Sequence, residues 1–302
     1  MNRYADDSRD MRLDPDSFAQ GYFKNAVYRH WDPYAIEGLE TDRERIRDIE
    51  LTEQEYLDFC TGISRFGAGE EAVTEDLMPL ALVLEDVNDQ MFISSQIYEE
   101  AKHAQFFDRY WREVVDPVAE EFGFEKRRPT DQRFFNDDYV ALFDKTEAAM
   151  HRLLEEDTPK NRVLAYTHYH LAVESVLAQT GYYGFQSAFS DKGGDEVARE
   201  DWPNMPGLVA GITKIRSDEG RHVGFGMQKV RGHIQRGEVE EELVQETLQE
   251  LLPHIAGTVN DLSAAIDPTP LVTYASEKLG RRIEIMTDSE AEIPPVEDLV
   301  AI

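Results

Sequence analysis

Apolar residues recur at spacings of three and four over long, uninterrupted segments of this 302-residue chain. That spacing places them on one face of an α-helix, and the segments are too long to be strands. In residues 53–84 the pattern is carried by Tyr56, Phe59, Ile63, Phe66, Val73 and Leu77. We predict helices over 53–84, 86–122, 138–156, 160–189, 206–236 and 239–265. Since no alternating apolar runs flank a hairpin turn, the sequence predicts an all-α helical bundle.

The predicted helices stop where the sequence supplies helix breakers. Glycine or proline interrupts the pattern at Gly123, 128–131, 192–194, Pro203 and Pro206. Thr52, with Glu55 three residues later, has the spacing of a capping box at the start of the first long helix.

The domain organisation follows from the same pattern. We find no low-complexity linker, so we predict a single domain over residues 1–302 with its helical core at about 50–265. Residues 1–50 are interpreted as an irregular, aromatic-containing N-terminal arm. Residues 277–302 lack periodicity and end in acidic residues and proline, which is typical of a C-terminal tail.

Charge excludes some classes of partner. The chain has 61 acidic and 31 basic side chains, and its net charge of −30 repels the phosphates of nucleic acids and anionic lipids. Its 22 arginines outnumber its 9 lysines, and an acidic, lysine-poor surface suits concentrated salt, so we expect a halophilic source.

Cysteine content and hydropathy bear on location and on metal chemistry. No segment approaches the roughly 18 apolar residues of a membrane-spanning helix, and the first residues lack an apolar signal region. Cys60 is the only cysteine, so no intrachain disulfide can form, and a metal would need nitrogen and oxygen ligands. We expect a cytoplasmic protein.

Glutamate and histidine occur three residues apart at Glu100 and His103 and again at Glu219 and His222. Residues at this spacing are neighbours on one helical face and can bind the same ion. Eight histidines and 34 glutamates in 302 residues give about one such pair by chance, so the two pairs alone are weak evidence.

A further glutamate on the preceding helix strengthens each pair. Glu70 lies 30 residues before Glu100, and Glu174 lies 45 residues before Glu219. The order of one Glu and then Glu-x-x-His, repeated once, is the ligand set of ferritin-like di-iron and di-manganese bundles. Four carboxylates balance the charge of two divalent ions, and imidazole suits iron or manganese.

The surroundings of two acidic residues support an inward-facing site. Glu174 is embedded in the apolar stretch HLAVESVLAQTGYYGF, where a solvated glutamate would be unusual. Asp218 directly precedes the second Glu-x-x-His pair, and a metal-bound imidazole usually donates its free N–H to a carboxylate or carbonyl. We therefore predict that Asp218 supports a metal-bound histidine; an exposed helical aspartate is the alternative.

These motifs resemble those of the ribonucleotide reductase small-subunit superfamily and, within it, the ligand-binding oxidases that carry a manganese/iron pair. The resemblance spans roughly residues 50–235. It is carried by AGEEAVTED at 68–76, EEAKH at 99–103, YHLAVE at 169–174, TGYY at 180–183 and DEGRH at 218–222.

The resemblance implies specific metal ligands and an enzymatic activity. Glu70, Glu100 and His103 would hold manganese, while Glu174, Glu219 and His222 would hold iron, with Glu100 bridging. Two iron ions are the alternative, because the ligands alone admit both pairs. The implied enzyme is an O₂-dependent oxidoreductase that binds a long-chain fatty acid or similar apolar ligand and forms a homodimer.

The same resemblance implies an ether link between the β-carbon of Val73 and the oxygen of Tyr169. Val73 lies one turn after Glu70, on the same helical face. Tyr169 precedes Glu174 by five residues, which is about 140° on an ideal α-helix, so its side chain reaches the site only through its length or a helical bulge. A core valine and a core tyrosine are the alternative interpretation. We also expect an apolar tunnel, lined by Phe66, Phe106, Phe185 and Phe189.

Two other functions remain open at this stage. One is the radical-generating small subunit of ribonucleotide reductase, although Phe107 stands where most such subunits have their radical tyrosine and Glu70 stands where many have aspartate. The other is an iron-storage or structural bundle. The interval from Glu70 to Glu100 is about one turn shorter than the oxidases imply, with the loss around 84–89.

Overall fold

The computed structural model describes residues 13–190, 202–261, 269–287, 292–295 and 299. Within these ranges the chain forms helices and no strands. The α-helices are α1 (Phe18–Tyr28), α2 (Leu39–Arg47), α3 (Glu53–Val83), α4 (Val87–Tyr110), α5 (Asp116–Phe122), α6 (Asp137–Glu155), α7 (Pro159–Tyr166), α8 (Gln179–Phe189), α9 (Pro206–Gln235), α10 (Glu241–Asp261) and α11 (Thr269–Thr287). Two 3₁₀ turns occupy Pro33–Ala35 and Gln132–Phe134.

Two of the long helices contain a π-helical stretch. Helix α4 continues through the π-helical turn Trp111–Val115 into α5, and α7 continues through Thr167–Ala178 into α8. We call Thr167–Ala178 the π segment. Four long elements, which are α3, α4, the α7–π–α8 helix and α9, surround the predicted ligand residues and form a bundle.

Side-chain caps fix where several of these helices begin. The Thr52 capping box is present: the backbone N–H of Thr52 donates to Glu55 Oε2 at 2.9 Å, and that of Glu55 donates to Thr52 Oγ1. Asp86 caps α4 after a connection of only three residues, 84–86. The tight α3–α4 connection therefore keeps Glu70 and Glu100 on adjacent antiparallel helices.

Helix α9 receives its cap from another helix. Its own N-cap residue, Met205, makes no side-chain hydrogen bond to the first turn. Instead the carboxylate of Asp42 on α2 accepts from the backbone N–H groups of Gly207 and Leu208, at 2.9 and 2.7 Å. Gly207 is required here, because a Cβ at this position would lie 2.7 Å from the backbone of Gly38. The start of α9 is thus fastened to α2.

The prediction of an irregular arm over residues 1–50 was wrong for its described part. Ser17 caps α1, whose buried face carries Ala19 and Ala26, and Asp42 and Ile46 are buried on α2. These helices are short, and their burial depends on contacts with α4 and α9. Local periodicity was therefore too weak to reveal them.

The predicted tail is also partly helical. Residues 277–287 continue α11, which buries Leu279 and Ile285. The predicted break at 192–194 and most of the remaining tail lie outside the described residues. Among the described helices, none combines the length and the mean hydropathy of a membrane span.

Candidate metal centre

The structure brings the six predicted ligand residues together in the middle of the bundle. They come from α3 (Glu70), α4 (Glu100 and His103), the π segment (Glu174) and α9 (Glu219 and His222). All six are buried, and the most accessible is 7% exposed. Their donor atoms form two four-residue groups, in each of which the atoms lie within 4.8 Å of one another. Glu100 and Glu219 belong to both groups.

One group converges on Nδ1 of His103. This nitrogen lies 3.1 Å from Glu100 Oε2 and 3.4 Å from both Glu70 Oε2 and Glu219 Oε1. A donor set of one imidazole nitrogen and three carboxylate oxygens is suited to a divalent transition ion.

The other group converges on Nδ1 of His222. This nitrogen lies 2.9 Å from Glu100 Oε1, 3.3 Å from Glu174 Oε1 and 3.4 Å from Glu219 Oε2. Glu100 and Glu219 therefore present one oxygen to each imidazole. If each group held one ion, Glu100 and Glu219 would be ligands of both ions.

Unpaired polar atoms at the centre fit metal ligands better than a hydrogen-bonded network. Among the described residues, no group makes a well-directed hydrogen bond to Glu174 Oε2, Glu219 Oε2 or His222 Nδ1, although Glu100 Oε1 lies 2.9 Å from His222 Nδ1; all three atoms are buried. Buried polar atoms are normally paired, and four buried carboxylates would repel one another. Two divalent ions would neutralise the four carboxylates and satisfy these atoms, so the residues fit a dinuclear centre.

Burial shifts the proton affinity of the carboxyl groups. It raises the pKa of Glu70 to about 8, raises that of Glu174 well above its usual range and, together with Glu100, raises that of Glu219. Glu100 is the exception: burial opposes ionisation, but the adjacent imidazoles of His222 and His103 hold its pKa well below the usual range. Without metal, Glu70, Glu174 and Glu219 therefore hold their protons more tightly than an exposed glutamate does.

Each imidazole is backed by a carboxylate from the opposite helix. Asp218 on α9, predicted to support a histidine, lies against His103 on α4, with 3.2 Å between Oδ2 and Nε2. Glu99 on α4 lies against His222 on α9, with 2.9 Å between Oε2 and Nε2. Sequence reasoning missed Glu99. The signal was the repeated order of acid, Glu, any residue, base and His, which occurs in both EEAKH and DEGRH.

Three further side chains bind these backing carboxylates. Arg221 donates to Glu99 Oε1 at 2.6 Å and also to Asp218. Lys102 and the indole N–H of Trp31 donate to Asp218 Oδ2, at 3.1 and 2.7 Å. The Trp31 ring also stacks on His103. The carboxylates are thus neutralised and held in place by buried cations.

The π segment resolves the position of Tyr169. A π-helix pairs residues five apart, so Tyr169 and Glu174 can both face the centre, which an α-helix would not allow. The Tyr169 hydroxyl donates to Glu100 Oε1 at 2.8 Å, and Gln96 donates to Glu174 Oε1 at 3.0 Å. The helical bulge considered from the sequence is present.

A cavity of about 70 Å³ borders the centre, and its exposed walls are almost entirely apolar. Glu70, Glu100, Glu174 and Glu219 are among its lining residues, and both Val73 and Tyr169 also line it. Of the four phenylalanines predicted to line a tunnel, only Phe66 does so; the prediction was wrong for the other three. Phe106 faces Gly211, Phe189 packs on Phe59 and Trp202, and Phe185 packs behind Phe66.

No family model matches the chain, but solved structures do. A variant of R2-like ligand-binding oxidase with an aerobically reconstituted Mn/Fe cofactor aligns with 28% identity over 90% of this chain and 94% of its own, with a TM-score of 0.78. The predicted resemblance to the ligand-binding oxidases is confirmed. Another variant of the same oxidase, with an aerobically reconstituted Fe/Fe cofactor, aligns with the same identity and coverage and a TM-score of 0.77.

These ligand-binding oxidases also confirm the all-α, ferritin-like fold class. The metal pairs that they hold, Mn/Fe and Fe/Fe, are the two pairs that the sequence predicts for this chain.

Proposed function

We propose that this chain is a ligand-binding oxidase that activates O₂ at a dinuclear Mn/Fe centre. One observation supports it most directly: the carboxylates of two overlapping carboxylate–histidine groups line an apolar cavity that Val73 and Tyr169 also line. In this proposal Glu70, Glu100 and His103 hold manganese, and Glu174, Glu219 and His222 hold iron. Glu100 bridges the ions, and the position of Glu219 between both imidazoles suits a second bridge.

When bound, the Mn/Fe pair supplies the capacity to reduce O₂ and to remove hydrogen from a strong C–H bond. The apolar walls exclude bulk water, which would otherwise compete for the reactive centre. The Tyr169 hydroxyl donates a hydrogen bond to Glu100, which orients it. Burial, together with Glu100, raises the pKa of Tyr169 well above its usual range in the metal-free chain.

The internal product of this activity is the ether link between Val73 and Tyr169. One C–O bond forms, and one hydrogen leaves the Val73 β-carbon and one leaves the Tyr169 oxygen. The two electrons and two protons pass to O₂, the oxidant. Both residues are buried and line the same cavity, as this reaction requires.

The external ligand is proposed to be a long-chain fatty acid or a similar unbranched apolar molecule. The apolar lining of the cavity supports an apolar ligand. Its carboxylate would lie at the metal end, where it adds one more hard oxygen donor. The homodimer that the resemblance implies stays a prediction. Analytical ultracentrifugation would test it by measuring the mass of the particle in solution.

Peptide mass spectrometry after aerobic loading with Mn(II) and Fe(II) tests the proposal. We expect a cross-linked peptide joining Val73 and Tyr169 that is two hydrogens lighter than the sum of its parts. Tyr169→Phe keeps the ring but lacks the oxygen, so it is the matched control that must not cross-link. Complete absence of the link in metal-loaded, oxygen-exposed protein would contradict the ether assignment. Metal analysis separates Mn/Fe from Fe/Fe.

The alternative of a radical-generating reductase subunit has less support. Phe107, at the position of the radical tyrosine, is buried and stacks on Phe66. It offers no hydroxyl to oxidise. Nucleotide reduction with a catalytic partner subunit would favour this alternative.

A further inference from the structure

A second cluster of metal-ligand side chains lies outside the bundle centre. Asp76 on α3 faces Glu147 and His151 on α6, and one donor atom from each lies within 4.8 Å of the others. Glu147 and His151 are four residues apart, so they project from the same face of α6. This cluster shares no residue with the dinuclear centre.

Asp76 is unusual within this cluster. Its side chain is only 7% exposed, yet among the described residues none donates a hydrogen bond to it or forms an ion pair with it. A carboxylate this deeply buried is costly unless a cation or a hydrogen-bond donor faces it. Burial, together with the adjacent Glu147, raises its pKa to about 6, although attraction to His151 opposes the shift. The basic group that acts on this carboxylate is thus His151, a member of the cluster.

We propose that Asp76, Glu147 and His151 bind one divalent first-row transition ion. Two carboxylates neutralise the ion, and the imidazole favours a transition metal over Mg²⁺ or Ca²⁺. Glu147 and His151 are exposed, so a water molecule can take the fourth position of a tetrahedral shell. The ion joins α3 to α6 and gives the Asp76 carboxylate a divalent cation to bind. The site is independent of the proposed oxidase activity.

Zinc binding by the full chain tests the site. The protein is first loaded with Mn and Fe, freed of excess metal and titrated calorimetrically with Zn²⁺. We expect the wild-type chain to bind one zinc ion. Glu147→Gln and His151→Gln should bind it at least about tenfold more weakly, since even the loss of an outer-shell partner weakens metal affinity by that factor. Both residues are exposed, so both variants should fold.

The matched control is Glu75→Gln. Glu75 is exposed on α3 beside Asp76 and also raises the pKa of Asp76, but it offers no donor atom to the cluster. This variant removes the same charge and should bind zinc like the wild-type chain. Equal affinity in all variants, or no zinc uptake by the wild-type chain, would overturn the proposal. So would zinc uptake matched by loss of Mn or Fe in metal analysis.

Thermal unfolding of Asp76→Asn gives a second measurement. Without zinc, this variant should unfold at or above the wild-type temperature, because an amide carries no charge to bury. With zinc, the wild-type chain should gain stability and the variant should not. A zinc-dependent gain in the variant equal to that of the wild type would contradict Asp76 as a ligand.

Discussion

At the scale of single residues, the two nitrogens of each central imidazole have different tasks. Nδ1 faces the carboxylates that converge on the proposed metal positions, while Nε2 lies against a carboxylate on the opposite helix. The arrangement is reciprocal: α9 supports His103 through Asp218, and α4 supports His222 through Glu99. Each supporting carboxylate should therefore act mainly on one ion.

Substitution of the two supporting carboxylates tests this division. Glu99→Gln should lower the affinity for the ion beside His222 by about 10- to 100-fold. Asp218→Asn should lower the affinity for the ion beside His103 by the same factor. Mn and Fe contents after loading at limiting metal measure the effect. Glu71→Gln, an exposed carboxylate on α3, is the control and should match the wild-type chain. Equal loss of both metals in both variants would contradict the division.

Spacing in the sequence identified the six central residues because Glu-x-x-His is a local pattern. It could not pair Asp218 with His103 or Glu99 with His222, since those pairings depend on how α4 and α9 face each other. Trp31 was beyond reach for the same reason: it lies 187 positions from Asp218 in the chain.

At the scale of helices, the π segment depends on close packing against α9. Gly226 of α9 faces His170, and a Cβ at Gly226 would lie 2.2 Å from the Cβ of His170. Because that atom is fixed to the backbone, the neighbour cannot rotate away. Sequence periodicity predicted one helix here but could not show the change from α to π, because the segment is apolar on nearly all sides; only the five-residue interval between Tyr169 and Glu174 suggested a bulge.

Gly226→Ala should therefore destabilise the protein by about 1–3 kcal/mol, as overpacking does. Urea unfolding at fixed metal content measures the change. Gly21→Ala is the matched control, since Gly21 lies on α1 and a Cβ added there would meet no atom of the described residues within 4 Å. It should gain up to about 1 kcal/mol from helix propensity. A Gly226→Ala variant as stable as the wild type would show that the π segment can shift.

The cap that α2 provides to α9 is a second feature of this scale. Asp42→Ala removes the acceptor for two backbone N–H groups and for the Tyr110 hydroxyl. We expect a loss of about 1–2 kcal/mol in the free energy of unfolding. Glu40→Ala, an exposed residue on the same helix, should change it little. Equal effects of the two substitutions would rule out a capping role.

The cap should also titrate. Burial raises the pKa of Asp42 to about 6, so the folded chain binds this proton more tightly than the unfolded chain. The stability that protonated Asp42 adds is therefore fully present below the pKa of this residue in the unfolded chain, and it is lost as the pH rises through 6. The stability of the wild type relative to Asp42→Asn should fall between pH 4 and 7. A pH-independent difference would contradict the raised pKa.

At the scale of the whole molecule, charge dominates. The net charge of −30 means that the excess acidic side chains repel one another. Salt screens this repulsion, with a Debye length of about 10 Å at 0.1 M. We expect the unfolding temperature to rise with KCl, most steeply below about 0.3 M, where the screening length changes fastest. Scanning calorimetry of metal-loaded protein measures this. An unfolding temperature that is constant or falls over this range would count against the halophilic interpretation.

Most of the large-scale architecture was accessible from sequence. Helices α3, α6 and α9 begin and end within one residue of their predicted limits, because long amphipathic segments with caps and breakers specify themselves locally. Helices α1 and α2 were missed, since their apolar faces are too short to give a periodic pattern and are stabilised by contacts with other helices, among them α4 and α9. The cavity was predicted in kind but not in detail, as the positions of three of its four expected phenylalanines show.

Arg221 has a consequence for how the two ions enter. Its guanidinium holds Glu99 and Asp218 at once, and Glu100 and Glu219 face both imidazoles. The first ion thus orders groups that the second also needs, and their ordering entropy is lost only once. Loading should then be cooperative, with the second ion bound more tightly than the first. Native mass spectrometry of the wild-type chain during a metal titration should show fewer singly loaded chains than independent sites would give, whereas Glu99→Gln and Asp218→Asn should each raise that fraction.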